Sequence, residues 1–489
     1  MRVFLAVHLP KLPLEVFRPR WSPEPGHGSV VLEKDKVAIA DGSARAAGVR
    51  LGMKRGGVLT LSPETMLYER DIARENATQR EVGIALMKFS PDVALLDEAT
   101  VLVEVGGSLR LFGGLLPLCR QAKAILGALG LTARISAAPT GQGAWLLAKH
   151  GNRRVLQLAS LERVLEPLPM LAVPEIRPFA DWFSGLGCES IADVRRLPRA
   201  GLQRRCGEHL LDSLDRAFGT APELFDWLEL PPTFSARLEL PDRLEHADGA
   251  VFAAHRLIVQ LCGWLCAKQL AVTAITLSFE HERGREAMAP TSIDIALGEA
   301  AWREDHLLRL VKERLHRLTL EAPAIALRLD ASKVDAAAPA TDQLFPQPGG
   351  SPADHARLIE LLIARNGEEN VLRPAPTADY RPEVANRWVS INHVEKKMQL
   401  PKGLPRPTWM LATPVRLLMR QHRPFYGSPL KMVSPGERIE AGWFDGALVT
   451  RDYFVMQGED RSCYWVYYER VSSRDVEEEP RWFLHGLFG

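Results

Sequence analysis

Apolar runs of strand length alternate with helical patterns over the first 150 residues of the chain. The run "RVFLAVHL" (residues 2–9) predicts a buried strand. Apolar positions at helical spacing near 70–89, 115–128 and 143–150 predict helices. Elements in this order indicate layers of helix and sheet packed face to face. We therefore predict a multidomain α/β (α+β) protein whose first domain, an α/β layer structure, spans residues 1–158.

Two further folded regions follow. Residues 159–232 combine short helical patterns with many arginines and no convincing strand, which predicts a small helical module. Residues 233–335 contain helical patterns and strands of strict alternation, which predict a second α/β sandwich. The positions that alternate toward its core are Ile275, Leu277, Phe279, Ile325, Leu327 and Leu329.

The last third of the chain changes in composition. Residues 336–356 concentrate Ala, Pro and Gly around one Leu-Phe pair, which is typical of a linker that carries a short peptide motif. Residues 357–489 begin with a helix that ends near Gly367 and continue with aromatic residues and valines separated by turn residues. This pattern predicts a small β domain within a C-terminal protein-interaction region.

Composition narrows the class of protein only slightly. A length of 489 residues suggests three or four domains at roughly 100 to 200 residues each. The net charge of +1 gives no global sign of nucleic-acid or membrane binding, so any such surface must be local. The six cysteines include no CxxC pair, and we expect them to be structural thiols in a reducing cytosol. No long apolar run predicts export or membrane insertion, so we expect a cytoplasmic protein.

Three segments resemble the Y-family, translesion-type DNA polymerases in order and spacing. They are "GSARAAGVRLGM" (42–53), "LLDEATVLVEVGGSLRLFGG" (95–114) and "LTARISAAPTGQGAWLLAKHG" (131–151). The resemblance implies a palm and fingers over the first domain, a thumb in the helical module and a little finger in the second sandwich. The motifs "GERIEAGWFDG", "TRDYF" and "WFLHGLFG" extend it to the polymerase-like accessory proteins of bacterial mutasomes.

The first strand departs from the pattern of active members of that family. There the strand ends in Asp-x-Asp followed by two aromatic residues, the second of which is a steric gate. The resemblance places His8 at the first acid, Pro10 at the second, Leu12 at the first aromatic residue and Pro13 at the gate. Nucleotidyl transfer uses two Mg²⁺ ions about 4 Å apart, and Mg²⁺ prefers oxygen to a histidine nitrogen. The resemblance therefore implies a degenerate polymerase site.

Other motif positions agree with that reading. In the family's Tyr-x-Ala-Arg motif, Gly42 replaces the tyrosine and Arg45 keeps the arginine, while Trp145 stands where a triphosphate-contacting lysine is expected. Asp97 and Glu98 resemble the second acidic motif, Asp-Glu. Counting back from "VEVGGS" instead places that motif two residues later, and a two-residue slip keeps each side chain on the same face, so both registers stay open.

We expect no catalytic residue, no metal and no cofactor, and hence a protein that is not an enzyme. The alternative is an active translesion polymerase with an altered metal site built from Asp97, Glu98 and Glu104. These two readings differ in whether the three carboxylates converge on one point.

A helix-hairpin-helix is predicted by "LGCESIADVRRLP" within the helical module. Gly185 and Gly187 would form the turn that presents backbone N–H groups to a DNA phosphate. We expect DNA contact here, and the alternative is a solvated arginine face balanced by Glu189, Asp193 and Glu208. The arginines concerned are Arg195, Arg196, Arg199, Arg204 and Arg205.

The linker peptide "TDQLFP" resembles the motif by which polymerases and accessory factors bind the bacterial sliding clamp. Leu344 and Phe345 would enter an apolar pocket of the clamp, whereas Thr341 stands where family members carry glutamine. The predicted clamp-binding residues are Thr341, Asp342, Gln343, Leu344 and Phe345.

The resemblance also implies a function and partners. It implies an adaptor that binds DNA and the sliding clamp, acts with ImuA and RecA, and recruits an error-prone DnaE-type polymerase for lesion bypass in the SOS response to DNA damage. A third reading is a structure-specific DNA-binding protein without clamp partnership. Aromatic residues of the C-terminal region, such as Trp443, Tyr453 and Trp482, are expected to divide between its core and an interface.

Overall fold

A computed structural model of the chain describes residues 2–22, 26–282, 289–337, 352–393, 405–470 and 481–488. The chain divides into two compact units, Met1–Arg365 and Asn366–Gly489. The predicted fold class is confirmed, because the chain is a multidomain α/β structure with layers of helix on sheet.

Strands and helices alternate over the first 150 residues. Four strands form an antiparallel sheet in the order β5-β6-β1-β7, and three form a small sheet in the order β3-β2-β4. In chain order the elements are β1 (Phe4–His8), α1 (Leu12–Glu15), β2 (Ser29–Glu33), β3 (Lys36–Ala40), α2 (Gly42–Ala46), α3 (Arg55–Leu61), β4 (Met66–Glu69), α4 (Ile72–Leu86), β5 (Val93–Leu96), β6 (Thr100–Glu104), α5 (Leu115–Ala128), β7 (Arg134–Ala138) and α6 (Gly141–His150).

Both faces of the four-stranded sheet are buried. Along β1, Leu5 and Val7 pack into a core with residues of α4 and α5, whereas Phe4 and Ala6 pack into a core with residues of α6. Because side chains alternate along a strand, His8 lies on the same face as Phe4 and Ala6. The central strand therefore ends with its histidine directed toward the α6 layer.

The helical module continues the core beneath α6. Buried residues of α6 and of the module's helices belong to one hydrophobic cluster, so the two parts share a core. The helices are α7 (Leu158–Leu165), α8 (Ala180–Gly185), α9 (Ile191–Arg196), α10 (Arg199–Cys206) and α11 (Glu208–Phe218), with 3-10 turns at Met170–Ala172 and Pro174–Phe179.

The second sandwich consists of a four-stranded antiparallel sheet in the order β10-β9-β11-β8 and two helices. The predicted core positions Ile275, Leu277 and Phe279 are buried in it. Its elements are β8 (Ser235–Leu244), a 3-10 turn (Ala247–Ala250), α12 (Val251–Lys268), β9 (Leu270–His281), β10 (Thr291–Ala301), α13 (Glu304–Arg317) and β11 (Ala324–Ala336).

One predicted core position in this sandwich is wrong. Ile325 is only half-buried, whereas its neighbours Ala324 and Ala326 are buried. The pairing of β11 shifts register between Ala324 and Ala326 against both adjacent strands. A bulge inserts one residue and so reverses the alternation on either side of it. Leu327 and Leu329 lie beyond the bulge and are buried as predicted.

Helix α12 joins the sandwich to the first domain. Its Gly263 lies so close to α4 that an added Cβ atom would sit 2.1 Å from the Ile84 carbonyl oxygen. On the same helix the buried Arg256 donates to Glu81 at 2.8 Å and to the Leu129 carbonyl at 3.1 Å. Only glycine permits this helix crossing, so the second sandwich packs closely against the first domain.

Among the described residues, one helical segment is long and apolar enough to cross a membrane. It is Ala247–Lys268, and 72% of its most apolar 18-residue window is buried inside the protein. A mostly buried apolar helix is what the core of a globular domain requires. The six cysteines are free, and Cys119, Cys188 and Cys262 are buried.

A helix after the predicted linker extends the second sandwich. Helix α14 (Pro352–Asn366) begins before the predicted boundary at residue 357. Its Glu360 accepts hydrogen bonds from Gly298 N–H at 2.7 Å and lies 2.8 Å from His306 Nε2. Its Ala364 is buried in the sandwich core. The compact unit therefore extends to Arg365, because the sandwich covers the apolar face of this helix.

The second unit is the predicted small β domain. Its main sheet has the order β14-β22-β21-β20-β18, with β19 also paired to β20. Tyr453 is buried in its core, Trp482 is half-buried and Trp443 is exposed. The strands are β12 (Leu372–Pro376), β13 (Asn386–Ser390), β14 (Trp409–Arg416), β15 (Leu418–Arg420), β16 (Arg423–Tyr426), β17 (Ser428–Pro429), β18 (Lys431–Met432), β19 (Glu437–Ala441), β20 (Val449–Gln457), β21 (Cys463–Glu469) and β22 (Arg481–Leu487).

Candidate functional site

His8 ends the central strand and is held by backbone and side-chain oxygen atoms. Its Nδ1 lies 3.0 Å from the Glu98 carbonyl oxygen and 3.1 Å from Thr100 Oγ1. Because a carbonyl oxygen can only accept, Nδ1 carries the proton and donates to Glu98. Burial lowers the pKa of His8 to about 4. The imidazole is therefore neutral at pH 7 and its orientation is fixed by the β5–β6 turn.

Asp97 and Glu98 lie in the turn between β5 and β6. Glu98 and the following Ala99 adopt left-handed backbone angles, with φ of 54° and 51°. Thr100, the first residue of β6, pairs directly with His8 in the sheet. The position opposite His8 is thus a buried threonine, and the two acids lie in the turn, outside the paired part of the sheet.

Two cations of the protein neutralise Glu98. Its carboxylate forms ion pairs with Lys149 and Arg177. Burial alone would raise the pKa of Glu98, but the hydrogen bonds from Arg177 and Lys149 outweigh burial and lower that pKa. Glu98 therefore stays ionised at neutral pH without any bound metal. We call these three side chains the Glu98 cluster.

Trp145 closes the inner side of the Glu98 cluster. It is buried, and its Nε1–H donates to the Asp97 carbonyl oxygen at 3.3 Å. Lys149, one helical turn later on α6, places its ammonium 4.4 Å from the centre of the Trp145 ring. The tryptophan that stands at the family's lysine position thus supports the turn and the lysine after it.

The donor set does not fit two Mg²⁺ ions. His8 offers one neutral nitrogen, and the Glu98 carboxylate already binds two cations. Glu104 lies at the opposite end of β6, roughly 13 Å along the strand, and accepts from the N–H groups of Val3 and Gly106. In the described part of the chain, no three His, Cys, Asp or Glu residues are grouped to hold a metal ion. The carboxylates of the alternative metal site do not converge.

A cleft of about 370 Å³ opens beside these residues. Its lining includes five predicted site residues, which are His8, Pro10, Pro13, Asp97 and Glu98. The cleft's arginine, Arg70, is engaged by Glu75 at 2.8 and 2.9 Å. Leu12 also lines the cleft and is buried.

The predicted triphosphate arginine lies apart from this cleft. Arg45 is an exposed residue of α2 and its Nε donates to the Asp41 carbonyl oxygen at 3.1 Å. Gly42 begins the same helix, where Asp41 accepts from Ala44 N–H at 2.8 Å as the N-cap. Neither Gly42 nor Arg45 is among the described residues that line the cleft.

The predicted hairpin has the expected shape. Helix α8 ends at Gly185, Gly187 adopts a left-handed φ of 77°, and α9 follows. However, the Asp193 carboxylate of a capping box accepts from the N–H groups of Glu189 at 3.3 Å and Ser190 at 3.0 Å. These donors are satisfied within the protein, so a phosphate would have to compete with Asp193 for them.

The five predicted DNA-binding arginines divide into two groups. Arg195 pairs with Glu162 and Glu166 and covers the Phe218 ring, and Arg199 pairs with Asp215 at 2.6 Å. The remaining three are more available, since Arg196 is 78% exposed beside Asp193, and Arg204 and Arg205 are exposed without an ion pair among the described residues.

The predicted clamp motif, Thr341 to Phe345, lies outside the described residues. Two members of the Glu98 cluster, Lys149 and Arg177, were not predicted from the sequence. Lys149 follows Trp145 by four residues on a helix, a spacing that places both on one face and so could have indicated it. Arg177 comes from a 3-10 turn of the helical module, and no local pattern connects it to the first domain.

Because of the Glu98 cluster, Glu98 and its neighbour Asp97 are expected to contribute differently to the stability of the fold. Glu98→Gln is expected to lower the free energy of unfolding by about 1 to 2 kcal/mol, because it leaves Lys149 and Arg177 without their shared carboxylate. The matched control Asp97→Asn, at the adjacent acid, which forms no ion pair with the described residues, is expected to change it by less than about 0.5 kcal/mol. Urea unfolding of the full chain measures both variants.

The pH dependence of this difference follows from the lowered pKa of Glu98. The stabilisation is complete above the ordinary value of 4.5 and is lost as the pH falls through the lowered pKa. In a site arranged for a metal, removing either acid would relieve repulsion equally. Equal effects of Glu98→Gln and Asp97→Asn would therefore contradict a structural role for Glu98.

Comparison with known proteins confirms the resemblance predicted from the sequence. Residues 25–149 match the impB/mucB/samB family. Protein ImuB of Caulobacter vibrioides, from strain NA1000 / CB15N and from strain ATCC 19089, is 25% identical over 478 residues, which cover 90% of this chain and all of the relative. The chain is therefore similar to ImuB over most of its length.

Solved structures that resemble the chain are Y-family polymerases. A Y-family DNA polymerase chimera of Dbh and Dpo4 is 16% identical with a TM-score of 0.38, and covers 67% of this chain and 98% of its own. A Dbh ternary complex is 17% identical with a TM-score of 0.38 over the same shares of the two chains.

Proposed function

We propose that this ImuB-like chain is a non-catalytic Y-family polymerase homologue that serves as an adaptor in translesion synthesis. It binds DNA and the sliding clamp and recruits an error-prone DnaE-type polymerase, which supplies the catalysis during damage-induced mutagenesis. The observation that carries the proposal is the Glu98 cluster at the end of a first strand that bears His8 instead of an acid.

The layout of the first unit supports the assignment of polymerase parts. In this proposal residues 1–158 serve as palm and fingers, 159–232 as a thumb with a helix-hairpin-helix, and 233–335 as a little finger, in line with the order of helices and strands. The tight crossing at Gly263 holds the little finger against the palm.

The remaining parts of the proposal rest on the sequence. The linker peptide Thr341 to Phe345 would attach the chain to the clamp, and the C-terminal unit would meet protein partners. By resemblance to ImuB those partners are ImuA, RecA and the DnaE-type polymerase, in a mutasome acting in the cytoplasm under the SOS response. The converging metal site of an active polymerase is not supported, because Glu104 lies at the far end of β6.

Measuring how the helical module binds DNA tests the part of this proposal that assigns DNA contact to the module. Arg204→Ala combined with Arg205→Ala is expected to weaken binding to a primer–template duplex about tenfold at 0.1 M salt, because two unpaired exposed cations are lost. The slope of log affinity against log salt should fall by about 1.8. Fluorescence anisotropy with labelled duplex measures both quantities.

The matched control removes two exposed cations from another helix. Arg309→Ala combined with Lys312→Ala makes the same change in net charge on α13 and is expected to leave the affinity within about twofold. If both double variants bind the duplex equally, the arginines of the module are a solvated surface and the predicted DNA contact is wrong.

A further inference from the structure

The C-terminal unit contains a long stretch without a single acid. Between Glu395 and Glu437 the chain carries eight lysines and arginines and neither Asp nor Glu. The whole chain has a net charge of only +1, so this positive charge is local. Such a concentration of cations on a neutral protein indicates a surface for a negatively charged ligand.

Four of these cations lie exposed on the described strands and are not neutralised. Elsewhere in the unit some arginines are paired, as with Arg438 and Arg470, which both bind Asp452. Among the described residues, no ion pair involves the four exposed cations of β14, β15, β16 and β18. They are Arg416, Arg420, Arg423 and Lys431.

The hairpin of β15 and β16 brings two of these cations together. Arg420 and Arg423 are the cross-strand pair that closes its two-residue turn, so their side chains lie on one face. The turn residues Gln421 and His422 have φ of 51° and 61°. Like charges directly opposite each other destabilise a hairpin. The direct pairing of the two arginines does not itself stabilise the hairpin, which favours a role in binding.

The same face offers apolar surface beside the charge. Leu418 and Phe425 are paired across the strands on the face that carries Arg420 and Arg423, and Leu418 is 67% exposed. The Arg420 guanidinium stacks 4.1 Å from the centre of the Phe425 ring. Cations interleaved with apolar and aromatic side chains are the combination that binds a phosphate backbone and stacks its bases.

Within the part of the C-terminal unit that the structure describes, the acids nearest the hairpin do not neutralise this face. Glu459 and Asp460 lie in a turn beside Ser428, whose Oγ accepts from Glu459 N–H at 3.1 Å. The Asp460 carboxylate accepts from Ser462 Oγ at 2.8 Å and from its N–H. The negative charge therefore borders the hairpin at the end away from Arg420 and Arg423.

We propose that the basic hairpin, residues 418–426, binds single-stranded DNA through Arg420 and Arg423, with Leu418 and Phe425 against unpaired bases. Guanidinium groups suit phosphate oxygens because they present planar pairs of donors. A duplex would offer phosphates alone to this face, and a strand with unstacked bases also uses the apolar side chains. The site lies in the C-terminal unit and is independent of the polymerase-like adaptor function proposed above.

The test uses the full chain, fluorescein-labelled oligo-dT of 20 nucleotides, and a duplex of equal length. Arg420→Gln combined with Arg423→Gln is expected to raise the dissociation constant for oligo-dT about tenfold and to reduce its salt slope by about 1.4. The affinity for duplex should change by less than about twofold. Arg420→Lys with Arg423→Lys should keep the salt slope, because the charge is retained.

The control variant, Arg438→Gln with Arg470→Gln, removes the same charge from arginines that already bind Asp452. It should bind oligo-dT within about twofold of the parent chain. The proposal is overturned if the parent chain does not bind oligo-dT, if the hairpin and control variants lose affinity equally, or if duplex affinity falls as much as oligo-dT affinity. Unchanged oligo-dT binding by the hairpin variant would also overturn it. An acidic protein would then be the expected ligand of this face.

Discussion

Replacing Leu344 and Phe345 together with alanine is expected to abolish binding to the bacterial sliding clamp. Two adjacent apolar side chains that enter one pocket act as the anchors of a short peptide, and losing such anchors costs about 2 kcal/mol or more each. The affinity should therefore fall by more than about 100-fold. Calorimetric titration of purified clamp with the parent chain and with the double variant measures this loss.

A second substitution in the same peptide should act in the opposite direction. Thr341 stands where family members carry glutamine, so Thr341→Gln is expected to tighten clamp binding. It lies within the motif but outside the apolar pair and serves as the matched control. Equal clamp affinity of the parent chain and the Leu344→Ala/Phe345→Ala variant would show that this peptide is not the docking motif.

Elements with strong local patterns could be predicted from the sequence. The helix expected over 115–128 is α5 (Leu115–Ala128), and the strand expected over 2–9 is β1 with His8 at its end. In both, the period of apolar positions and the burial are set by adjacent residues, so short-range information is sufficient. The helical module and the C-terminal β domain were predictable for the same reason.

Features that depend on distant partners were not predictable. The bulge that displaces Ile325 arises from the pairing of β11 with two neighbours, which alternation along one strand does not reveal. Helix α14 belongs to the second sandwich through Glu360, whose partners lie about 60 residues earlier. The Glu98 cluster likewise needs Arg177, which is 79 residues away. Candidate residues could be named from motifs, but their pairing required the fold.

The protein is expected to incorporate no nucleotide into a primer. Nucleotidyl transfer needs carboxylates that hold two metal ions, lower the pKa of the attacking hydroxyl and neutralise the departing pyrophosphate. At this site the first strand offers the neutral His8, and Glu98 is held by Lys149 and Arg177. A metal ion would have to displace two protein cations to reach Glu98. It would then lack the first-strand acids, whose positions are taken by His8 and Pro10.

The most direct test is single-nucleotide incorporation on a primed template by purified full-length chain in excess over DNA, with Mg²⁺ and separately with Mn²⁺. The matched control is the double variant Asp97→Asn/Glu98→Gln. No extended primer is expected from either protein above the level without protein. Extension by the parent chain that the double variant loses would contradict it and would assign Asp97 and Glu98 to a working metal site.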